Sequence, residues 1–278
     1  MDEYQARINQ QYGQDNLNAR ILAALQNAGK QIDSLTREDL SMFDEFHIGG
    51  IAETRHLAQL AGLRQGMHVL DVGSGLGGPA RTLAAEFGCR VTGLDLTEEF
   101  CQAAEMLTAQ VGLENKVRFQ HGSAIDIPFE ANTFDVVWMQ FSGMNIADKE
   151  RLYAEIRRVL RPGGLFAVHE IMAGSEQELY YPNFWANEPS ISFLRQQATI
   201  RHYLAANDFE EVVWNDVTQP SYEWFRGMVT KTKEAGSPSL GFQVFIADSV
   251  PVKAQNLLRN LEERRVTVIQ GIFQLKKQ

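Results

Sequence analysis

The chain has 278 residues, 44% of them hydrophobic, and a formal net charge of −9 at pH 7. This length admits one large α/β domain with additions or two smaller domains, and the acidic balance disfavours a nucleic-acid-binding protein, because such proteins usually present a basic surface. No stretch approaches the roughly 20 apolar residues of a membrane helix, the polar start has no apolar signal segment, and Cys89 and Cys101 have no metal-type spacing, so we expect a cytoplasmic protein that binds neither a membrane nor a metal.

The first 62 residues show no strand pattern and are predicted to form an N-terminal helical cap. Residues 16–28 and 51–61 both carry apolar side chains at helical spacing. Between them, the segment Phe43–Gly50 places aromatic and titratable residues next to paired glycines. We expect this cap to precede a larger domain over residues 63–278.

Strands and helices alternate from Met67 onwards. The predicted strands lie at about 67–72, 90–95, 116–120, 134–139 and 165–170, and the predicted helices at 78–87, 97–111 and 148–160. The turn Arg161-Pro-Gly-Gly164 should end the last of these helices. Alternation at this spacing predicts an α/β fold with a doubly wound, mostly parallel, Rossmann-like sheet.

The alternation breaks after Glu170. Residues 172–200 and 219–263 are predicted insertions, the first a polar and aromatic loop and the second mainly helical. A strand at 210–217 separates them, and a strong strand, Val266–Leu275, closes the chain.

The stretch Met67–Gly78 is a buried strand that runs through a glycine-rich turn into a helix. Such a turn lets a ligand lie against the backbone and offers it unpaired N–H groups. Gly73, Gly75 and Gly78 satisfy G-x-G-x-x-G, which is typical of dinucleotide sites. Read from Asp71 to Gly77, the same stretch is D-x-G-x-G-x-G, so the loop alone does not identify its ligand.

Asp95 ends the second predicted strand, about 20 residues after Gly73. A carboxylate in this position can accept hydrogen bonds from both hydroxyls of a ribose. This residue suits a dinucleotide and an adenosine cofactor equally.

Three further segments carry a resemblance to a known family: Gly122–Phe129, Asn132–Trp138 and Arg158–Leu165. Together with the glycine loop and Asp95, they resemble the core of class I methyltransferases that use S-adenosylmethionine (SAM) and act on small molecules, of the type 11 kind. The resemblance covers about residues 67–170. It implies a seven-stranded sheet with an antiparallel last strand, SAM as cofactor and S-adenosylhomocysteine as product.

The resemblance also implies roles for individual residues. Asp71, Gly73 and Gly75 are similar to the loop that holds the amino-acid end of SAM, Asp95 to the ribose-binding acid, and Gln140 to a position near the methionine. The adenine would be contacted by Leu96, Ser123, Ala124 and Ile125. Ser123 stands where the family often has Asp, which weakens that one contact.

The choice of a catalytic base is less direct. Many relatives have a His in the segment after strand four, and this chain has Asn145 there. An Asn side chain can orient a substrate but cannot accept its proton. This departure favours an acceptor that is neutral when bound, or a base from elsewhere.

The segment Phe43–Gly50 resembles the one that lies over SAM in sarcosine/dimethylglycine-type methyltransferases. His47 and Glu45 are therefore candidate catalytic residues, as are Asn145 and Tyr12, which is similar to lid tyrosines. The residues expected to line the acceptor pocket, together with the insertions at 172–200 and 219–263, are Phe46, His169 and Trp185.

These observations predict a SAM-dependent methyltransferase that acts on a small-molecule acceptor, with an amine nitrogen of a glycine- or sarcosine-like molecule favoured. Methylation of oxygen or carbon in a secondary metabolite is the alternative. An NAD-dependent oxidoreductase, a non-catalytic SAM-binding module and an RNA methyltransferase are more remote hypotheses. The sequence leaves the oligomeric state open.

Overall fold

The computed structural model describes residues 16–235, 241 and 249–277. It contains a seven-stranded sheet with the strand order β3-β2-β1-β4-β5-β7-β6. The strands are β1 (His68–Val72), β2 (Arg90–Asp95), β3 (Val117–His121), β4 (Phe134–Gln140), β5 (Leu160–Ala173), β6 (Phe209–Asp216) and β7 (Val266–Leu275). The first five are mutually parallel, whereas β7 runs antiparallel to β5 and β6.

Helices cover both faces of the sheet. They are α1 (Leu17–Asn27), α2 (Arg37–Asp44), α3 (Gly50–Leu60), α4 (Gly78–Glu86), α5 (Glu98–Gln110), α6 (Lys149–Val159), α7 (Gln197–Ala206), α8 (Thr218–Ala235) and α9 (Val250–Glu262). Apolar side chains of α3, α4 and α5 form the core on one face, and those of α6 and α7 form the core on the other. Among the described residues, no helix is both long and apolar enough to span a bilayer.

Two details of β5 and the cap differ from, or refine, the sequence prediction. The turn at Arg161–Gly164 does not separate α6 from the strand: β5 already pairs at Leu160 with Phe134, and the turn is an irregularity within β5.

Leu17 and Ile21 of α1 are buried in one cluster with Phe100 of α5. The helices before residue 62 therefore pack onto the sheet's own helices, and the domain boundary at that residue stays a prediction.

The described part of the 172–200 insertion contains little regular structure. An isolated parallel β-bridge joins Ala173 near its start to Gln196 near its end. The segment also includes one short 3-10 turn at Pro189–Ile191. Residues of this segment share an apolar cluster with α8 and α9 at the carboxyl end of β5. The insertions thus cover the sheet edge at which the parallel strands end, where ligands bind in open α/β sheets.

Candidate active site

A cavity of about 350 Å³ opens at the carboxyl edge of the parallel strands. Its wall combines the loops after β1, β2, β3 and β4 with the cap and with residues of α8 and α9. The volume is within the range of small-molecule sites. Most of the residues singled out in the sequence lie on this wall: Phe46, His47, Gly73, Gly75, Asp95, Leu96, Ser123, Ala124, Ile125, Asn145 and Trp185.

The first half of the glycine loop faces the cavity. The amide N–H groups of Gly73 and Ser74 donate to the carbonyl oxygen of Leu94, at 2.7 and 3.1 Å, which ties the loop to β2. Gly75 has a φ of +51°, and a Cβ built there would meet no atom within 4 Å. The backbone at Gly75 therefore leaves open space for a ligand.

The second half of the loop serves packing instead. A Cβ on Gly77 would lie 2.4 Å from the ring of Phe119, and a Cβ on Gly78 would lie 2.3 Å from the carbonyl oxygen of Asp44. Gly78 completes the dinucleotide pattern, yet it lies under the cap and away from the cavity wall. The glycine is thus explained by the close approach of the cap backbone.

Asp95 joins the loop to the cavity. Its Oδ2 accepts from the N–H of Gly75 at 2.8 Å, and its Oδ1 accepts from the N–H of Thr97 at 2.9 Å. Burial raises the pKa of Asp95, although these backbone hydrogen bonds act in the opposite direction. The carboxylate is consequently fixed next to the open backbone of Gly75.

Asp71 lies behind the loop rather than on the wall. Its side chain is buried, and Oδ2 has no hydrogen-bond partner among the described residues. Burial, together with the charges of Glu45 and Asp95, raises the pKa of Asp71 to about 8. Asp71 therefore retains its proton at neutral pH and adds little negative charge behind the loop.

The cap is anchored by a buried ion pair. Arg81 Nη2 lies 2.5 Å from Asp44 Oδ2 and donates to the carbonyl oxygen of Leu76 at 2.6 Å. Arg81 also donates to the hydroxyl of Thr108 at 3.0 Å. One guanidinium therefore connects the cap to the glycine loop and to α5.

Glu45 does not reach the cavity wall, but it holds His47, which does. Glu45 Oε2 lies 3.0 Å from His47 Nε2 and accepts from the hydroxyl of Thr54 at 2.7 Å, while Oε1 accepts from Thr82 at 2.7 Å. Burial acts to raise the pKa of Glu45, but the hydrogen bond and charge of His47 and the two hydroxyls outweigh it, so this pKa is lowered. His47 is thereby held by a buried carboxylate.

Gln140 and His169 also lie behind the wall. Gln140 Oε1 accepts from the indole N–H of Trp138 at 2.8 Å. The ring of His169 packs against Phe141 with centroids 4.8 Å apart and against His47 at 5.8 Å. Neither ring nitrogen of His169 has a partner in the described part of the chain. Burial, with the charge of His47, holds the pKa of His169 well below its usual range, which keeps the ring neutral.

Asn145 connects two walls of the cavity. Its Nδ2 donates to the carbonyl oxygens of Trp185 and Ile191, at 2.8 and 2.9 Å. From the opposite side, Glu170 accepts from the N–H groups of Ser142 and Gly143. The loop after β4 is therefore fixed at both ends, and the side chain of Asn145 holds this loop against the first insertion.

Tyr12 lies outside the described residues. Phe184, which the sequence suggested beside Trp185 as part of the acceptor pocket, lies on the wall, and wall residues that were not singled out include Phe141, Ser142, Met144, Trp224, Phe225 and Leu257. The first three directly follow β4, which is a signal that strand boundaries could have supplied. Those on α8 and α9 are distant along the chain and carry no motif.

Comparison with known proteins finds a family match in the central part of the chain. Residues 70–168 match the family described as "Methyltransferase domain". A sterol 24-C-methyltransferase of Gibberella zeae is 42% identical over 121 residues, which are 43% of this chain and 32% of that protein. A glycine/sarcosine/dimethylglycine N-methyltransferase of Actinopolyspora halophila is 42% identical over 105 residues, 38% of this chain and 19% of that protein. The chain thus spans a third or less of the length of these two relatives.

The fold extends beyond the matched core. Geranyl diphosphate C-methyltransferase from Streptomyces coelicolor, in a structure with Mg²⁺, geranyl-S-thiolodiphosphate and S-adenosylhomocysteine, superimposes with a TM-score of 0.71 over 98% of both chains at 16% identity. This likeness confirms the predicted Rossmann-like sheet with its antiparallel last strand. The resemblance stated from the sequence is confirmed for the part of the chain that matches the methyltransferase domain, residues 70–168.

Proposed function

We propose that this chain is a SAM-dependent methyltransferase that acts on a small-molecule acceptor. The observation that carries the proposal is the open backbone at Gly75 beside the fixed carboxylate of Asp95. Both lie on one cavity that continues beneath the cap. The matched methyltransferase family and the structural neighbour with S-adenosylhomocysteine support the same cofactor.

The wall residues suit the parts of this cofactor. Asp95 would accept hydrogen bonds from the ribose hydroxyls, and Gly73 and Gly75 would give the methionine part room against the backbone. The apolar side chains of Leu96 and Ile125 would pack on the adenine. When bound, SAM would supply the reactive methyl group on a cationic sulfur, and the carboxyl group of Asp95 on the wall favours that charge.

His47 is the proposed base. Its Nε2 lies 3.0 Å from the Glu45 carboxylate, so we assign the neutral ring a proton on Nε2 and the electron pair to Nδ1. Nδ1 would take the proton that the acceptor loses when the new bond to the methyl group forms. The resulting Nδ1–H would donate to the carbonyl oxygen of Ile48, 3.3 Å away.

The relatives support methyl transfer with different acceptor atoms. The protein from A. halophila is named for amine acceptors and that from G. zeae for a sterol carbon. The glycine- or sarcosine-like amine favoured from the sequence therefore stays a prediction. Methylation of carbon or oxygen remains the alternative.

Calorimetric titration of the protein with SAM, and separately with NAD, tests the cofactor assignment. We expect SAM to bind, and Asp95→Ala to weaken it by about 1–3 kcal/mol through lost ribose contacts. Glu99→Ala is the matched control, because Glu99 is exposed and lies outside the cavity wall. Binding of NAD in place of SAM, or an unchanged SAM affinity in Asp95→Ala, would show that the site is misassigned.

A further inference from the structure

The part of the cavity away from the glycine loop has a wall of aromatic side chains. They come from the cap, the loop after β4, the first insertion and α8, and we call them the aromatic wall: Phe46, Phe141, Phe184, Trp185, Trp224 and Phe225. Trp185 and Phe225 are almost completely buried, whereas Trp224 is 41% exposed. The aromatic wall therefore extends from the interior to the solvent.

The charges on the cavity are acidic. Among the described wall residues, the carboxyl groups are those of Asp95 and Asp148, and there is no Lys or Arg. Asp148 accepts from the N–H of Arg151 and so caps α6. An anionic group of an acceptor would meet these carboxyl groups and, among the described wall residues, no Lys or Arg to pair with it, which is costly away from water.

Two buried cations near the site have other partners, and the exposed Arg151 donates from Nε to the carbonyl oxygen of Ile125 at 3.0 Å. Lys149 is buried, and its ammonium donates to the carbonyl oxygen of Gly143. Arg81 is held by Asp44 beneath the cap. A rotation of either side chain into the cavity would leave a buried polar group unpaired, so neither serves as a ready partner for a carboxylate or phosphate.

We propose that the acceptor carries no anionic group and that its apolar part packs on the aromatic wall. This inference rests on the proposed methyltransferase function and narrows its substrate class. It excludes acceptors such as sarcosine, which carries a carboxylate, and geranyl diphosphate, which carries a diphosphate. It leaves neutral amines, alcohols and olefins with a sizeable apolar part.

The test uses the neutral fluorescent probe N-phenyl-1-naphthylamine on the full chain. We expect the probe to bind, and geraniol to displace it at a concentration at least tenfold lower than geranyl diphosphate or sarcosine requires. Trp224→Ala should weaken probe binding about tenfold, because a large apolar contact at the rim is lost. Val212→Ala is the control, since Val212 is 58% exposed and lies on β6 outside the cavity.

The substrate class is overturned if geranyl diphosphate or sarcosine displaces the probe as well as geraniol does, or if Trp224→Ala leaves probe affinity unchanged. SAM titration of the same samples separates the two proposals. Failure to bind SAM with the preference for neutral molecules intact would overturn the methyltransferase function alone.

Discussion

At the scale of single residues, the two buried histidines of the site differ in what their nitrogens contact. His47 has a carboxylate on Nε2 and lies on the cavity wall, whereas neither nitrogen of His169 has a partner among the described residues. Only His47 combines access to a ligand with a group that stabilises its charged form. His169 serves as a neutral packing surface for its ring.

Replacing His47 tests this assignment. We expect His47→Gln to lower kcat by about 10²–10⁴-fold, the usual contribution of a general base, with little change in SAM affinity. His56→Gln is the control, because His56 is a half-exposed ring outside the cavity wall. Wild-type turnover in His47→Gln would reduce His47 to a structural residue.

Asp71 should make the protein less stable as the pH rises. Its folded pKa of about 8, raised chiefly by burial, exceeds its ordinary value of 3.8. Between these values the folded state retains a proton that the unfolded state releases, so the free energy of unfolding falls with increasing pH. Asp71→Asn, which has no proton to release, should raise the Tm at pH 7 and flatten the decline from pH 4 to pH 8. A steeper decline in the variant would contradict the assignment.

At the scale of elements, the contact between the cap and the start of α4 depends on one missing side chain. A Cβ on Gly78 would collide with the backbone of Asp44, which cannot move as a flexible side chain could. Gly75, three residues earlier, has open space but a left-handed backbone. Within one motif, Gly75 therefore leaves space for a ligand, and Gly78 leaves space for the backbone of the cap.

Substitution of Gly78 should accordingly harm the cap. We expect Gly78→Ala to lower the free energy of unfolding by about 1–3 kcal/mol, as overpacking does, and to speed amide exchange in α2 and α3. Gly227→Ala is the matched control, since a Cβ there meets nothing within 4 Å and lies in α8. Equal stability of both variants would mean that the cap is able to move aside.

At the scale of the whole molecule, local sequence signals were enough for the sheet but not for the acceptor side of the site. The parallel strands and the loop at Gly73 and Gly75 follow from short-range patterns of apolar residues and glycines. His169 and Ile171 are two residues apart in β5 and therefore share a face of the sheet, but only Ile171, nearer the carboxyl end of the strand, lies on the cavity wall. Trp224 and Leu257 reach the cavity only through tertiary packing of α8 and α9, which no local pattern specifies.

The anchoring of the cap by Arg81 bears on the timing of events during turnover. Asp44 and Glu45 are both fixed in the folded protein, and His47 follows them in the chain. The free energy that places His47 over the cavity is therefore released during folding, before any ligand arrives. This is preorganisation: the proposed base is in place when the acceptor arrives, so no closure of α2 and α3 is needed to bring His47 to the cavity.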